Sequence, residues 1–539
     1  MVPTPFRADA LALLALASWV GLCAALVGPW PDVPILDDWT YAWSVERLLQ
    51  TGELAILPIS SVYPVAQVLW GALFCLPFGF SFNALRVSTL VIAVLGAWAF
   101  YATLRELGSG QRRALFGTFL VLANPLTILL MHSFMTDIPF LSVTCAATWL
   151  FTRGILRRHA GSLWCAGALA VTSVLIRQVG VALPVAAAGV ALFMRDPWLR
   201  RTGRAQALAT FAAAFAAWAV VSWLVGQSAD EARRLDRLRH LASPGWTGYG
   251  GWLIHIVLGV SFMLFPLGLS SLAAQRPKLS AALALGAAAL ALGGLPRTTP
   301  FDPIALHHAI LTPLELGSAR DLLRGELAAP AYAGMLSSLA AAIALASLAA
   351  LFVSVALARH APPPRPHAPA RAYLAAQAAC HVALICVLWL FCDRYYLVLL
   401  PIAVAAVLPR LRSVPLSIPV AALGLLAQAA VGILGTRDAL RFNAACQSEY
   451  AALVRSGIQP YDIDAGWSLN GWMLYAHPQR LPASADRARD VPFVTSEQRR
   501  PYVLAKAPIG GYRVLKHEQW DGPVWPAQRE LFVLQMEAR

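Results

Sequence analysis

The chain of 539 residues is predicted to be an all-α polytopic membrane protein with a small C-terminal extracytoplasmic α/β domain. Three observations predict this class. Hydrophobic residues make up 58% and charged residues only 13% of the chain, and mean hydropathy is +0.61, a balance that soluble chains of this length do not show. Arginines gather in short loops between long apolar runs, as topology signals do. The last hundred or so residues are far more polar than the body, and that length suits a compact domain.

The apolar runs come first. Segments 10–30, 205–229 and 372–392 contain no Asp, Glu, Lys or Arg, and each is long enough to cross about 30 Å of hydrocarbon as a helix. Backbone groups in lipid find partners only within helices here, so the spans are helical. The first run follows Arg7 and has the outline of a secretory signal, but Gly28, Pro29 and Trp30 make a poor small-residue cleavage site, which predicts a retained first helix. A net charge of +14 suits a nucleic-acid partner in a soluble chain; in this one the basic residues follow membrane topology, and no nucleic acid is expected. Eight scattered cysteines show neither a disulfide framework nor zinc-ligand spacing.

Loop charge then sets the topology. Arg105, Arg112 and Arg113 share one short loop, Arg153, Arg157 and Arg158 a second, and Arg195, Arg200, Arg201 and Arg204 a third. The positive-inside rule makes these cytoplasmic, together with segments 275–278 and 359–371 and the Arg410 and Arg412 pair. With the N-terminus inside, the pattern predicts about thirteen spans, near 10–30, 82–104, 114–132, 138–152, 160–176, 178–194, 205–227, 250–272, 279–295, 331–358, 372–392, 395–409 and 413–435. An odd count leaves the tail external. Segment 62–80 carries Pro64 and Pro77 and is assigned to a helix lying along or dipping into the external surface. The expected organisation is a membrane domain over 1–436, with a first external loop at 31–81, and an external domain over 437–539.

Four constellations at external helix ends can carry chemistry. Asp37 and Asp38 follow the first helix; one reading is a general base at a partly desolvated surface, the other an acidic turn capping a helix. Asp137, in Thr136-Asp137-Ile138-Pro139, lies between two apolar runs, where an ionisable group is a functional suspect, although Asp and Pro also suit a helix start. His132 can join Asp137 as a metal ligand or proton carrier, or be merely hydrogen-bonded. Arg177, and Arg394 beside Asp393 and Tyr395, fall at external turns, where guanidinium forks suit a phosphate or snorkel to lipid headgroups. In the tail, Trp467 and Trp472 suit core packing better than stacking on a sugar.

The order Asp37-Asp38, then Thr136-Asp137-Ile138-Pro139, then RQVGVALP at 177–184, then RYYLVLLP at 394–401 resembles the integral-membrane glycosyltransferases of the C superfamily. It is most similar to the protein O-mannosyltransferase and lipid A aminoarabinose transferase group, glycosyltransferase families 39 and 83, over roughly residues 10–435. The resemblance implies an inverting transfer of a sugar from a polyprenyl-phosphate donor to an acceptor hydroxyl on the external face. It further implies Asp37 as base with Asp38 beside it, Asp137 as a second acid that orients groups or helps hold a metal, and Arg177, Arg394 and Tyr395 near the donor phosphate. A lysine-proline-proline element of many relatives is missing: this chain reads Ser61-Val62-Tyr63-Pro64, with Arg47 and Arg86 as the substitutes within reach in sequence. No cofactor is implied beyond a divalent metal at His132 and Asp137. The expected partners are the lipid-linked sugar, a glycan, lipid or protein acceptor, and membrane lipid. The location implied is a bacterial inner membrane, with the N-terminus cytoplasmic and the tail periplasmic. A secondary transporter or lipid flippase is the alternative, although no internal repeat is visible and the acids lie at helix ends.

Overall fold

The computed structural model describes residues 5–28, 30–60, 62–193, 196–225, 245–293, 310–311, 316, 331–358, 368–387, 392–477, 499–521 and 528–537. Long apolar helices dominate. Among the described residues seven are long and apolar enough to cross a membrane, or up to nine when two bent pairs each count as one span. The chain is therefore a multi-pass membrane protein.

Each span expected from the sequence has a helical counterpart, several of them altered in form. The run at 114–132 is two helices, Gln111–Leu122 and Pro125–Met131, bent by 70°; Asn124 caps the second and Pro125 occupies its first turn, where a missing N–H costs nothing. The run at 250–272 breaks likewise between Met263 and Phe265. Segment 62–80 contains only the 11-residue helix Val65–Cys75, about 16 Å long and too short to span, in keeping with its surface assignment. Most of the expected external loop 296–330, part of the proline-rich segment 359–371 and the end of the 279–295 span lie outside the described residues.

Helix Phe82–Glu106 packs along Asp137–Arg157 by close backbone approach. A Cβ on Gly96 would lie 2.5 Å from the Ser142 Cα, so glycine is what lets these helices meet, as small residues do throughout membrane interiors.

The arginine-rich loops share one end of the bundle. Arg157 donates to Glu106 at 3.0 Å, Arg158 donates to Asp196 at 2.9 Å, and Arg113 donates to the carbonyls of Leu411 and Val414. These contacts join four loops that charge alone had grouped. Helix Asp137–Arg157 runs from that end to the opposite one, where Asp137 lies, a rise of about 30 Å.

The last span does not stop near 435. Helix Ile418–Arg455 continues for 38 residues, about 57 Å, because no proline interrupts the polar continuation from Thr436 to Arg455. The expected boundary at 436/437 falls inside it. Its far half carries Phe442, Cys446 and Tyr450 against Ile463, Leu504, Leu531 and Val533 of the tail sheet. That sheet comprises β1 (Ile463–Asp464), β2 (Tyr502–Ala505), β3 (Tyr512–Asp521) and β4 (Gln528–Met536), in the order β1-β2-β4-β3. β1 pairs parallel to β2, and the other pairs are antiparallel. The tail is thus α/β as expected, and all eight cysteines are free.

Candidate active site

The acid pair divides at the start of helix Asp38–Thr51. Successive residues of a helix point about 100° apart, and the two carboxylates have opposite fates. Asp38 is fully buried; its carboxylate accepts from the Ile35 N–H at 2.8 Å and more weakly from the Phe134 N–H at 3.4 Å. Burial pushes its pKa up to about 7, although the nearby Arg86 guanidinium and these two N–H donors pull it down. Asp37 holds the N-cap position without using its side chain as a cap. Its carboxylate, 32% exposed, accepts from Arg394 Nη2 at 3.0 Å and from the Trp467 indole N–H at 2.9 Å. The capping reading therefore fails for the Asp37 side chain.

The backbone before Asp37 is strained. Leu36 has φ +55°, a left-handed conformation that costs a branched side chain about 1–3 kcal/mol and persists only where its surroundings impose it. Those surroundings are Asp38, holding the Ile35 N–H, and Ser468 of the tail, whose hydroxyl donates to the Leu36 carbonyl at 2.9 Å.

Asp137 is the first residue of its helix, with Thr136 at the N-cap and Pro139 in the first turn. Arg177 donates to Asp137 Oδ1 at 2.5 Å, while Oδ2 has no hydrogen-bond partner among the described residues. The Tyr395 ring lies between two guanidiniums, 5.2 Å from that of Arg177 and 5.7 Å from that of Arg394. Arg394 in turn is anchored by its neighbour. Asp393 accepts from the Arg394 N–H at 2.8 Å and from the N–H groups of Ile310 and Leu311 at 3.1 and 2.9 Å. Burial raises the Asp393 carboxyl to about 6 against these donors.

The structure therefore brings together Asp37, Arg394, Tyr395, Arg177 and Asp137 as two acid–arginine pairs joined through one aromatic ring. Asp137, Arg177, Arg394 and Tyr395 line a cleft whose remaining walls include Phe140, Ile385 and Val398. Polar groups thus meet an apolar trough. His381, absent from the sequence-based candidates, also lines it. Its Nδ1 bonds the Gln377 carbonyl at 2.9 Å, and Nε2 has no partner among the described residues. An imidazole inside an otherwise uncharged span is the sequence signal that could have found it.

Three sequence-based candidates lie elsewhere. His132 is fully buried, with Nδ1 on the Ile128 carbonyl at 2.7 Å and its ring edge-on to Trp30. No cluster of three or more His, Cys, Asp or Glu able to hold a metal occurs among the described residues, so this donor set does not fit a metal. Arg47 pairs with Glu53 at 2.8 Å on the surface. Arg86 is fully buried and committed to the carbonyls of Pro31 and Val33 and to Asn83. Neither arginine replaces the missing lysine as a phosphate contact: the first is spent on the surface, the second on bracing the first loop.

The tail packs against the helix that follows Asp37. A Cβ on Gly471 would lie 2.3 Å from the ring of Trp39, which is fully buried and too rigid to yield. Gly471→Ala is expected to destabilise by about 1–3 kcal/mol, read as a lowered melting temperature in detergent; an unchanged value would mean that this contact is loose.

The chain is similar to membrane glycosyltransferases. In particular, residues 63–223 match the family described as dolichyl-phosphate-mannose-protein mannosyltransferase, a segment that contains Asp137 and Arg177. No curated protein matches the chain. Among solved structures, the chain is similar to ArnT from Cupriavidus metallidurans bound to undecaprenyl phosphate, with 16% identity, 96% of this chain and 97% of that chain covered, and a TM-score of 0.44. It is similar to AglB, the oligosaccharyltransferase of Archaeoglobus fulgidus, in complex with an inhibitory peptide and a dolichol-phosphate, with 15% identity, coverage of 92% and 69%, and a TM-score of 0.47. A third is the S. cerevisiae protein O-mannosyltransferase Pmt1-Pmt2 complex bound to the sugar donor, with 15% identity, 42% of this chain covered and a TM-score of 0.35; this chain spans only 34% of that one. The recognition drawn from the motifs is borne out by the family match, and the many-helix fold class by the structure.

Proposed function

We propose that the protein is an inverting glycosyltransferase that moves a sugar from a polyprenyl-phosphate donor to an acceptor hydroxyl at the external membrane face. The observation that carries this reading is the Asp37–Arg394–Tyr395–Arg177–Asp137 chain beside an apolar-walled cleft. A lipid phosphate needs both halves of such a site: guanidiniums for the anion and an apolar trough for the first isoprene units.

In the reaction the acceptor O–H gives its proton to Asp37 as its oxygen bonds the anomeric carbon from the face opposite the phosphate. The bond from that carbon to the phosphate oxygen breaks, and its electron pair leaves with the lipid phosphate. Arg394 and Arg177 stabilise the charge that builds there, where fixed donors act most strongly. Asp37 is the acid with a partly exposed side chain; Asp38, fully buried, positions the loop. Asp137 orients Arg177.

The location that fits is a bacterial inner membrane with the N-terminus cytoplasmic. The shared end of the arginine-rich loops would then face the cytoplasm, and 437–539 would form a periplasmic domain rooted on the long helix.

The test supplies purified protein with a polyprenyl-phosphate sugar and measures release of polyprenyl phosphate. Arg394→Met is expected to lower that release about 10²–10³-fold. Unchanged turnover in this variant would remove Arg394 from the phosphate site. Solute or lipid movement in vesicles without any phosphate release would replace the transferase by a transporter.

A further inference from the structure

The polar tail meets the segment around the proposed base at three points. The Trp467 indole N–H donates to Asp37 Oδ1 at 2.9 Å, the Ser468 hydroxyl donates to the carbonyl of the strained Leu36 at 2.9 Å, and Gly471 abuts Trp39. All three belong to the short helical segment that opens at Gly466.

This segment is itself held firmly. The Asn470 side chain accepts from the Ala465 N–H at 2.9 Å and donates to Asp464 at 2.8 Å, and Asp464 also accepts from the Gly466 N–H at 3.1 Å. Asp464 belongs to β1, so the tail sheet braces the turn that reaches the site. Trp467 also meets Trp39 edge to face, with ring centroids 5.8 Å apart.

We propose that Trp467 is a positioning residue for Asp37 and that the 464–471 segment of the tail is a working part of the active site. The inference rests on the reading of Asp37 as base. Arg394 takes one carboxylate oxygen and Trp467 the other, so the carboxylate plane has a single orientation. Each oxygen keeps a lone pair for an acceptor hydroxyl.

Trp467→Phe keeps the ring and removes the N–H. In the full chain it is expected to lower kcat for lipid-phosphate release about tenfold or more, the worth of a hydrogen bond to a charged group, with the donor KM unchanged. A second measurement needs no turnover. Trp467→Phe should lower the melting temperature in the wild-type background and much less in an Asp37→Ala background, because the partner is already gone. Equal drops in both backgrounds overturn the contact, and an unchanged kcat overturns the positioning role. A wild type that releases no lipid phosphate defeats the transferase reading, while the melting cycle still decides the contact.

Discussion

Asp37→Asn is expected to reduce lipid-phosphate release by about 10²–10⁴-fold, the usual worth of a general base, while the protein stays folded. Asparagine matches aspartate in shape, and its one carbonyl oxygen can still accept from Arg394 or from Trp467, the two groups now on the carboxylate. What it cannot do is take a proton. The loss should therefore fall on kcat, with donor KM little changed, because the phosphate contacts belong to the arginines. Binding of polyprenyl phosphate alone should survive in the variant, measured by its thermal shift. Turnover within about tenfold of wild type would remove Asp37 as base. In that event Asp137, whose Oδ2 has no partner among the described residues, becomes the next carboxylate to test.

Arg86→Met is expected to carry the largest stability effect. Arg86 is fully buried and fastens the first loop through the carbonyls of Pro31 and Val33, with Asn83 bridging. It is also the cation whose field most lowers the Asp38 pKa. Methionine matches the stem but strands those carbonyls, at about 1–3 kcal/mol for each buried group left unsatisfied, and removes a cation whose field reaches Asp38. The pH dependence follows. Burial holds the folded-state pKa of Asp38 at about 7, above the value of about 3.9 in an unfolded chain. Its stabilising protonation is thus complete below about pH 4 and is lost as pH rises through about 7. Without Arg86 the folded-state pKa rises further, so the variant goes on losing stability at pH values where the wild type has levelled off. The melting-temperature gap between them should be smallest near about pH 5 and widen toward about pH 9. A gap that is flat with pH would mean that Arg86 acts on the loop carbonyls alone.

The reach of the sequence can be judged residue by residue. Arg86 stands inside a long apolar run, a position that flags a buried charge with a partner; that the partners would be loop carbonyls was not visible. His132 and His381 read alike, each a lone histidine in an apolar setting. Only packing separates them, since His132 lies in the core against Trp30 and His381 lines the cleft. Trp467 suited core packing in the sequence. It does pack on Trp39, and its N–H also reaches a carboxylate 430 residues away.

By itself the sequence determined the membrane class, the helical runs, the grouping of arginine-rich loops and the presence of acids and arginines at helix ends. All of these follow from the hydropathy and charge of neighbouring residues, and partition into lipid acts on such local stretches. Tertiary structure alone decided which of two adjacent acids is exposed. One step along a helix turns a side chain by about 100°, enough to send Asp38 to buried N–H groups and Asp37 to Arg394, 357 residues away. It also decided that the tail belongs to the site. Its contacts with Leu36 and Asp37 join chain segments more than 400 residues apart, and no local pattern of hydropathy or charge encodes a contact of that range.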